Sequence, residues 1–534
     1  MAHDPEIMTT AAPGPGVWKV TGLFALLAFL VVPVFPHFVS PNELSRWAAG
    51  ASLVDRRSLA IAPDVAAHLG PRFEDVAERD GRLYPNKAPG ATLAALPGYA
   101  AARPFAGPPG PASMRIAVTA MRWSAATLPV LLLSLLFARA ALARGAEPGA
   151  CALSLLALLF GTPLFAYGLL LFAHALVSLA LFGAWALLYP PDQRESPRRE
   201  VAAGALLGLA VLSDYPALVP VALLMLAAAW RRPVARTVRI CLGALPAAAL
   251  FFGFNTIAFG GPFELPVSHE RFAAFRSLRE HGAWGVGWPS VANLLRLLFD
   301  SSKGLFVLSP VLLAAAASTP AALRRLGLRA GATLVAVPVT LFLVYSGFPD
   351  WHGGFTVGAR YLVPALPFLL LPLAFVRWGP LATALAGAST AAVALTTLVF
   401  PFVPPGFPLP WGSFAAPLLA KGLVAPNLLH LVSRPLAVVA PFALVLAAAY
   451  AAVGARRMAP FLLGAFVWTG VGLALPLLVP LPPPLVVQRG YVEEVYFGRD
   501  GATARAMPPG VPVPPRLRER RALEKTLPPP PWPF

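Results

Sequence analysis

Three stretches of this chain gather residues able to do chemistry. SPNELSRWAAG (40–50) carries Glu43, and FEDVAERDGRLYPNKAPG (73–90) carries Glu74, Asp75, Glu78, Asp80, Tyr84 and Lys87. FPDWHGGFTVGARYLVPALP (348–367) brings Asp350, Trp351, His352, paired glycines, Gly358, Arg360 and Tyr361 close together. A carboxylate fixed in place can take the proton of an attacking hydroxyl. A neighbouring Lys or Arg can neutralise an anionic leaving group such as a phosphate. Glycine lets the backbone approach a ligand closely. Arg360 stands where a helix is expected to start, an end that disfavours a cation unless an anion meets it. Plainer readings stand beside these. Residues 73–90 also read as a solvated amphipathic loop, and 348–361 as a tight turn between helices with interfacial aromatics.

Weaker marks follow. Asp214-Tyr215-Pro216 sits between two apolar runs, where an acid is either functional or a cap for the next helix. His174 on an apolar face reads as a packed residue, and Lys303 in DSSKGLFVLSP as a lysine reaching for the interface.

The elements that must position these residues are apolar. Of 534 residues, 57% are hydrophobic and 12% charged, where a soluble domain carries about 25% charged residues. Runs such as 151–189 are membrane-helix material. The pattern predicts an all-α polytopic membrane protein of about 13 transmembrane helices. They are expected near 18–36, 117–138, 150–166, 168–189, 201–214, 215–230, 240–259, 304–319, 331–347, 360–376, 380–402, 436–454 and 459–480. Residues 91–106, with Pro97 and Pro104, read as an interfacial or re-entrant piece. The net charge of +18 sits in short loops, which points to topology and anionic lipid and excludes nucleic acid as a partner. Cys151 and Cys241 offer neither a disulfide framework nor zinc spacing. The first apolar run reads as a retained helix rather than a cleaved signal.

Arginine placement sets the sidedness. With residues 1–17 a cytoplasmic tail, Arg139/Arg144, Arg194–Arg199, Arg231–Arg239, Arg324–Arg329, Arg377 and Arg456/Arg457 all fall inside. The outer face then receives 37–116, 260–303, 348–359, 403–435 and a Pro-rich, charged tail over 481–534, expected to hold little order. Of 24 acids, only Asp4, Glu6, Glu147, Asp192, Glu195 and Glu200 fall inside. Longer outer loops explain part of that bias, and polar chemistry at the outer face explains the rest.

In this order the motifs resemble a bacterial branch of the GT-C membrane glycosyltransferases, which include the protein O-mannosyltransferases of glycosyltransferase family 39. The resemblance covers most of 18–480. It rests on Asn42-Glu43 soon after the first helix, Tyr84-Pro85-Asn86-Lys87-Ala88-Pro89-Gly90, Asp214-Tyr215-Pro216, KGLFVLSP (303–310) and WHGGFTVGARYLVPALP (351–367). It implies a GT-C-like helical bundle with a long first outer loop and its site on the outer face of the inner (plasma) membrane. It further implies a polyprenyl-phosphate sugar donor, a hydroxyl acceptor on lipid, glycan or protein, and inversion with a carboxylate as base. Carried over, Glu43 is the base and Asp75 the second catalytic carboxylate. Lys87, His352 and Arg360 hold the lipid phosphate, and Tyr84, Asp214 and Tyr215 join the substrate-binding set. Family members often show two adjacent acids in the first motif, and here the first is Asn42.

No cofactor is expected. A divalent metal is left open, because the outer loops carry neither an Asp-x-Asp motif nor a histidine cluster. Two other classes compete. A flippase or exporter of a lipid-linked sugar would show repeated halves and midplane charges, which this sequence lacks. A cell-surface polysaccharide polymerase or ligase is chemically close to the first reading.

Overall fold

Proline begins many of the helices. Pro15, Pro41, Pro111, Pro148, Pro197, Pro380 and Pro483 each occupy a first helical position, where the missing N–H costs nothing and the fixed φ favours the helix. A computed structural model describes residues 14–35, 40–69, 75–192, 194–279, 282 and 285–497. Glu74, Glu280, the tail residues 1–13 and 498–534 lie outside the described residues.

The helices used below are α1 (Pro15–Val31), α2 (Pro41–Arg56), α3 (Gly90–Ala106), α4 (Pro111–Arg122), α5 (Leu128–Leu142), α6 (Pro148–Phe160), α7 (His174–Leu188), α8 (Pro197–Ser213), α9 (Leu218–Ala229), α10 (Val234–Phe259), α11 (Val291–Phe299), α12 (Val311–Leu326), α13 (Leu328–Ser346), α14 (Pro380–Val399), α15 (Arg434–Val453), α16 (Ala455–Leu478) and α17 (Pro483–Phe497). Strands β1 (Val76–Arg79) and β2 (Arg82–Pro85) form one antiparallel hairpin between α2 and α3. Each predicted segment overlaps a helical element, and all but 201–214 and 304–319 overlap one of the apolar helices. The protein is an all-α membrane protein. Among the described residues six helices are long and apolar enough to cross a bilayer, and shorter apolar helices such as α1, α6 and α7 pack among them.

Three expected segments take a more definite form. The segment expected at 117–138 is a rod running from Ser113 to Leu142, continuous through a π-turn at Trp123–Thr127. It starts earlier because its polar first turns are buried in protein: Met114, Ala117, Val118 and Met121 join Trp47, Ala95 and Tyr99 in a second core. Residues 91–106, expected as one interfacial or re-entrant piece, lie in the single helix α3, whose two internal prolines do not break it. The described part of the tail from 481 holds the helix α17. Val487, Tyr491, Val492 and Tyr496 form a buried face, Tyr496 lies 5.6 Å from Phe400, and Lys421 Nζ meets Glu493 at 2.7 Å. A Pro-rich, charged composition hides that periodic face.

Without a hydrophobic drive between helices in lipid, small residues let backbones pack closely. A Cβ on Gly204 of α8 would stand 1.9 Å from the Ile240 carbonyl oxygen, and one on Gly243 of α10 would stand 2.0 Å from that of Val201. Any larger residue at either position forces these helices apart.

The loops sort into two groups. At one end Arg325 donates to the Gly145 carbonyl (2.7 Å), Arg144 to that of Tyr189, and Arg232 pairs with Glu195 (3.1 Å). At the other end Arg271 N–H meets the Val76 carbonyl (3.0 Å), Leu409 N–H that of Ser301 (2.8 Å), and Lys303 Nζ that of Val403 (3.0 Å). The predicted outer segments thus meet one another, and so do the predicted inner ones.

Candidate functional site

Glu43 occupies the first turn of α2 with its side chain fully buried. Arg122, at the end of α4, grips it with both arms: Nε to Oε1 at 2.8 Å and Nη2 to Oε2 at 2.7 Å. The Leu171 backbone N–H adds a third donor to Oε1 at 2.7 Å, and Arg122 also donates to the Pro33 carbonyl. Three donors leave one of the carboxylate's roughly four acceptor sites unpaired, on Oε2, but the side chain is closed to solvent. In this structure Glu43, expected as the base, joins α2, α4 and the segment before α7.

The hairpin places Asp75 and Lys87. Asp80 (φ 50°) and Gly81 (φ 71°) form the two-residue turn, the left-handed pair that Asp-Gly favours. Register then pairs Val76 with Pro85, so Asp75 just before β1 faces Asn86 and Lys87 just after β2. Lys87 Nζ lies 3.1 Å from Asp75 Oδ1, with the Asn86 amide at 3.3 Å. Asn86 Nδ2 also reaches Glu270 Oε2 at 2.9 Å, and Glu270 bridges to Ala77 of β1. Burial pushes the Asp75 carboxyl up, but the Lys87 charge and the hydrogen bonds from Lys87 and Asn86 outweigh it, leaving the group below its ordinary range. The Lys87 and Asp75 side chains keep 22% and 10% exposure, so this pair is reachable where Glu43 is not. Tyr84 is not part of the pair: its ring packs 5.3 Å from Phe259 of α10.

Two other regions converge on the same spot. Asp214, at the end of α8, accepts from the Tyr345 hydroxyl at 3.0 Å, and Tyr345 stacks face to face on Tyr361 at 4.7 Å. Tyr215 packs edge-on to Phe251 and lies within electrostatic reach of Arg46. Arg360 lies between rings, 4.9 Å from the centre of Tyr361 and 5.4 Å from that of Phe172. One arm donates to the Tyr361 hydroxyl at 3.1 Å, and Nε has no partner. The rings fix the guanidinium plane, and its enclosed Nε–H is a donor without an acceptor. Arg46, one turn after Asn42 and bonded to its amide at 3.1 Å, lies within electrostatic reach of Asp75, Asp214 and Arg360. Burial lowers the Arg46 guanidinium to about 10, and the two aspartates oppose that fall.

His352 sits at the edge of this cluster, half-buried. Its Nδ1 accepts the Gly354 N–H at 2.9 Å while Asp350 Oδ1 approaches the same atom at 3.1 Å. The first contact needs a neutral ring and the second favours a charged one. Burial is the larger influence and holds the imidazole below its ordinary value, Asp350 notwithstanding. His352 therefore offers a hydrogen bond rather than a charge. Lys303 is wholly enclosed and donates to the carbonyls of Thr356 and Val403. It ties three loops together instead of reaching for the interface. Burial, helped by Arg360, lowers it to about 7. Among the described residues no three His, Cys, Asp or Glu side chains gather as a metal site.

With that geometry in view, the chain can be set beside known proteins. Solved structures to which it is similar include those of ArnT and EmbB. ArnT from Cupriavidus metallidurans bound to undecaprenyl phosphate matches with a TM-score of 0.46 and 16% identity over 88% of this chain and 80% of that one. The apo state of the same protein gives 0.49 and 15% over 90% and 80%. The arabinosyltransferase EmbB from Mycobacterium smegmatis gives 0.39 and 13% over 88% of this chain and 42% of EmbB. No protein-family model matches the chain, and no curated protein is detectably similar in sequence.

Of the residues singled out from sequence, Asp75, Lys87, Asp214, His352 and Arg360 come together, with Tyr215 in electrostatic reach of Arg46; Glu43 pairs with Arg122 and Tyr84 packs on Phe259. Sequence reasoning missed Arg46, Arg122, Glu270 and Tyr345. Arg46 had a local signal, lying four residues after Asn42 on one helix face. Arg122 and Tyr345 sit inside apolar helices and find their partners only through the fold.

Proposed function

We propose that this protein transfers a sugar from a polyprenyl-phosphate donor to a hydroxyl acceptor at the outer face of the plasma membrane, with inversion. The observation that carries the reading is the Asp75–Lys87 pair, which keeps slight exposure on both side chains, with Arg46 and Arg360 in electrostatic reach of its carboxylate. The ordered motifs that resemble GT-C transferases support the donor class, and the arginine pattern supports a cytoplasmic N-terminus.

In this reading Asp75 takes the acceptor's proton while the acceptor oxygen forms its bond to the anomeric carbon. The bond from that carbon to the phosphate oxygen breaks, and its electron pair leaves on the phosphate. Lys87 and the unpartnered Nε–H of Arg360 receive the charge that develops there, and His352 adds a neutral donor. Glu43 is reassigned from base to anchor, and the Asp214–Tyr345 pair sets the stacked wall that orients Arg360.

The test is purified protein in lipid with a panel of radiolabelled polyprenyl-phosphate sugars. Donor consumption by wild type but not by Asp75→Asn supports the assignment. Consumption by both removes Asp75 from the chemistry. Bound but unconsumed donor in the wild type moves the reading to transport.

A further inference from the structure

The long helices expose apolar residues as a membrane protein must, but α11 is not one of them. It is a nine-residue helix at the polar end that holds the candidate site. Val291, Leu295 and Phe299 are 72%, 52% and 55% exposed, and Trp288, one turn ahead, is 94% exposed. The four-residue spacing of Val291, Leu295 and Phe299 lays these three along one side of the helix, and Trp288 precedes it. The opposite side is occupied. Leu297 is buried, and Asn293 Nδ2 donates to the carbonyls of Ser346 (3.0 Å) and Phe348 (3.4 Å). On the flank, Arg296 reaches Asn293 Oδ1 at 3.3 Å and lies 6.0 Å from the centre of the Trp351 ring. The Ser290 hydroxyl caps the helix at Asn293 N. One side of α11 therefore holds the turn leading into His352, while the other side is uncovered by the described residues.

We propose that α11 lies flat in the interfacial layer of the bilayer, its apolar stripe among the upper acyl chains and Arg296 at the level of lipid phosphates. Continuity argues for lipid as the occupant. Val335, Val339 and Leu343 form an exposed stripe along the membrane helix α13, and Leu343 is one turn from Ser346, whose carbonyl Asn293 holds. An aromatic at the leading edge and a cation on the flank suit the headgroup boundary. Docked this way, α11 fixes the depth of Trp351 and His352 relative to the headgroups. The proposal rests on the membrane reading and not on the transfer chemistry.

Nitroxide depth measurement on the full chain tests it. In a Cys241→Ser background, with Cys151 buried, single labels go on Val291→Cys, Leu295→Cys and Phe299→Cys, in vesicles of phosphatidylethanolamine and phosphatidylglycerol. Val339→Cys reports lipid, and Asp80→Cys on the exposed hairpin turn reports water. The expected result is greater access to oxygen than to a water-soluble nickel chelate at all three sites, as at 339 and reversed at 80. Preferential nickel access at the three, with 339 still lipid-exposed, overturns the proposal alone. So does poor access to both reagents, which means a protein contact. Nickel access at 339 as well overturns the membrane reading with it.

Discussion

Glu43→Gln separates an anchor from a base. The carboxylate spreads three donors over two oxygens inside a closed site, two of them from Arg122. A carboxamide keeps one acceptor oxygen for Leu171 N–H and Arg122 Nε but turns an NH2 group toward Arg122 Nη2, donor against donor, and strands the guanidinium charge. Removing one partner of a buried ion pair costs roughly 3–5 kcal/mol. At about 1.4 kcal/mol per factor of ten, the folded-to-unfolded ratio falls by roughly two to three and a half orders of magnitude. The assay is reversible unfolding of the purified protein in mixed micelles, followed by helical signal against denaturant. Arg122→Met alone should cost a similar amount by stranding Glu43, while Glu43→Gln with Arg122→Met should recover a large part of the loss, giving a strong coupling energy. A Glu43→Gln protein of wild-type stability that transfers no sugar would refute this reasoning and return Glu43 to the role of base.

Asp75→Asn should lower turnover by about two to four orders of magnitude, the usual worth of a general base, and labelled-donor consumption checks this against Glu43→Gln. Because Lys87 and Asn86 hold the Asp75 carboxyl below its ordinary value of 3.8, the acid limb of the pH–rate profile should lie below that value. In Lys87→Ala burial is less opposed, so the limb should move toward neutral pH. Arg360→Lys keeps the charge but loses the planar fork held between Tyr361 and Phe172, and donor binding measured by titration should weaken by at least tenfold. Lys303 releases its proton near pH 7 when folded but keeps it to about 10.5 when unfolded. Across that window the unfolded state binds more protons, so this site's contribution to stability rises with pH, and Lys303→Met should flatten the rise in unfolding experiments.

The helices were legible because an apolar run long enough to cross a bilayer has few other uses. The two polar ends were legible because arginines mark one of them. The hairpin carried a readable signal, Asp80-Gly81 between VAER and RLYP, and a two-residue turn at that point is enough to set Asp75 against Lys87. The role of Glu43 was not legible. The resemblance made it the base, yet the residue that pairs with it, Arg122, is 79 positions away inside an apolar helix. Arg360 was singled out for its place at a helix start. Its confinement between Phe172 and Tyr361 depends on a third segment that no local pattern announces. What sequence hides here is which charges are already spent on each other.

The contact between Asn86 and Glu270 spans 184 positions, and that between Lys303 and Val403 spans 100. A ribosome feeding this chain into the bilayer delivers Glu43, Asp75 and Lys87 well before the groups that complete their surroundings. A nascent chain stopped before residue 351 displays its first loop with no Arg360 to receive an anion and no Thr356 or Val403 to hold Lys303. Competence appears late and all at once, so an unfinished chain is chemically silent however much of itself it has already exported.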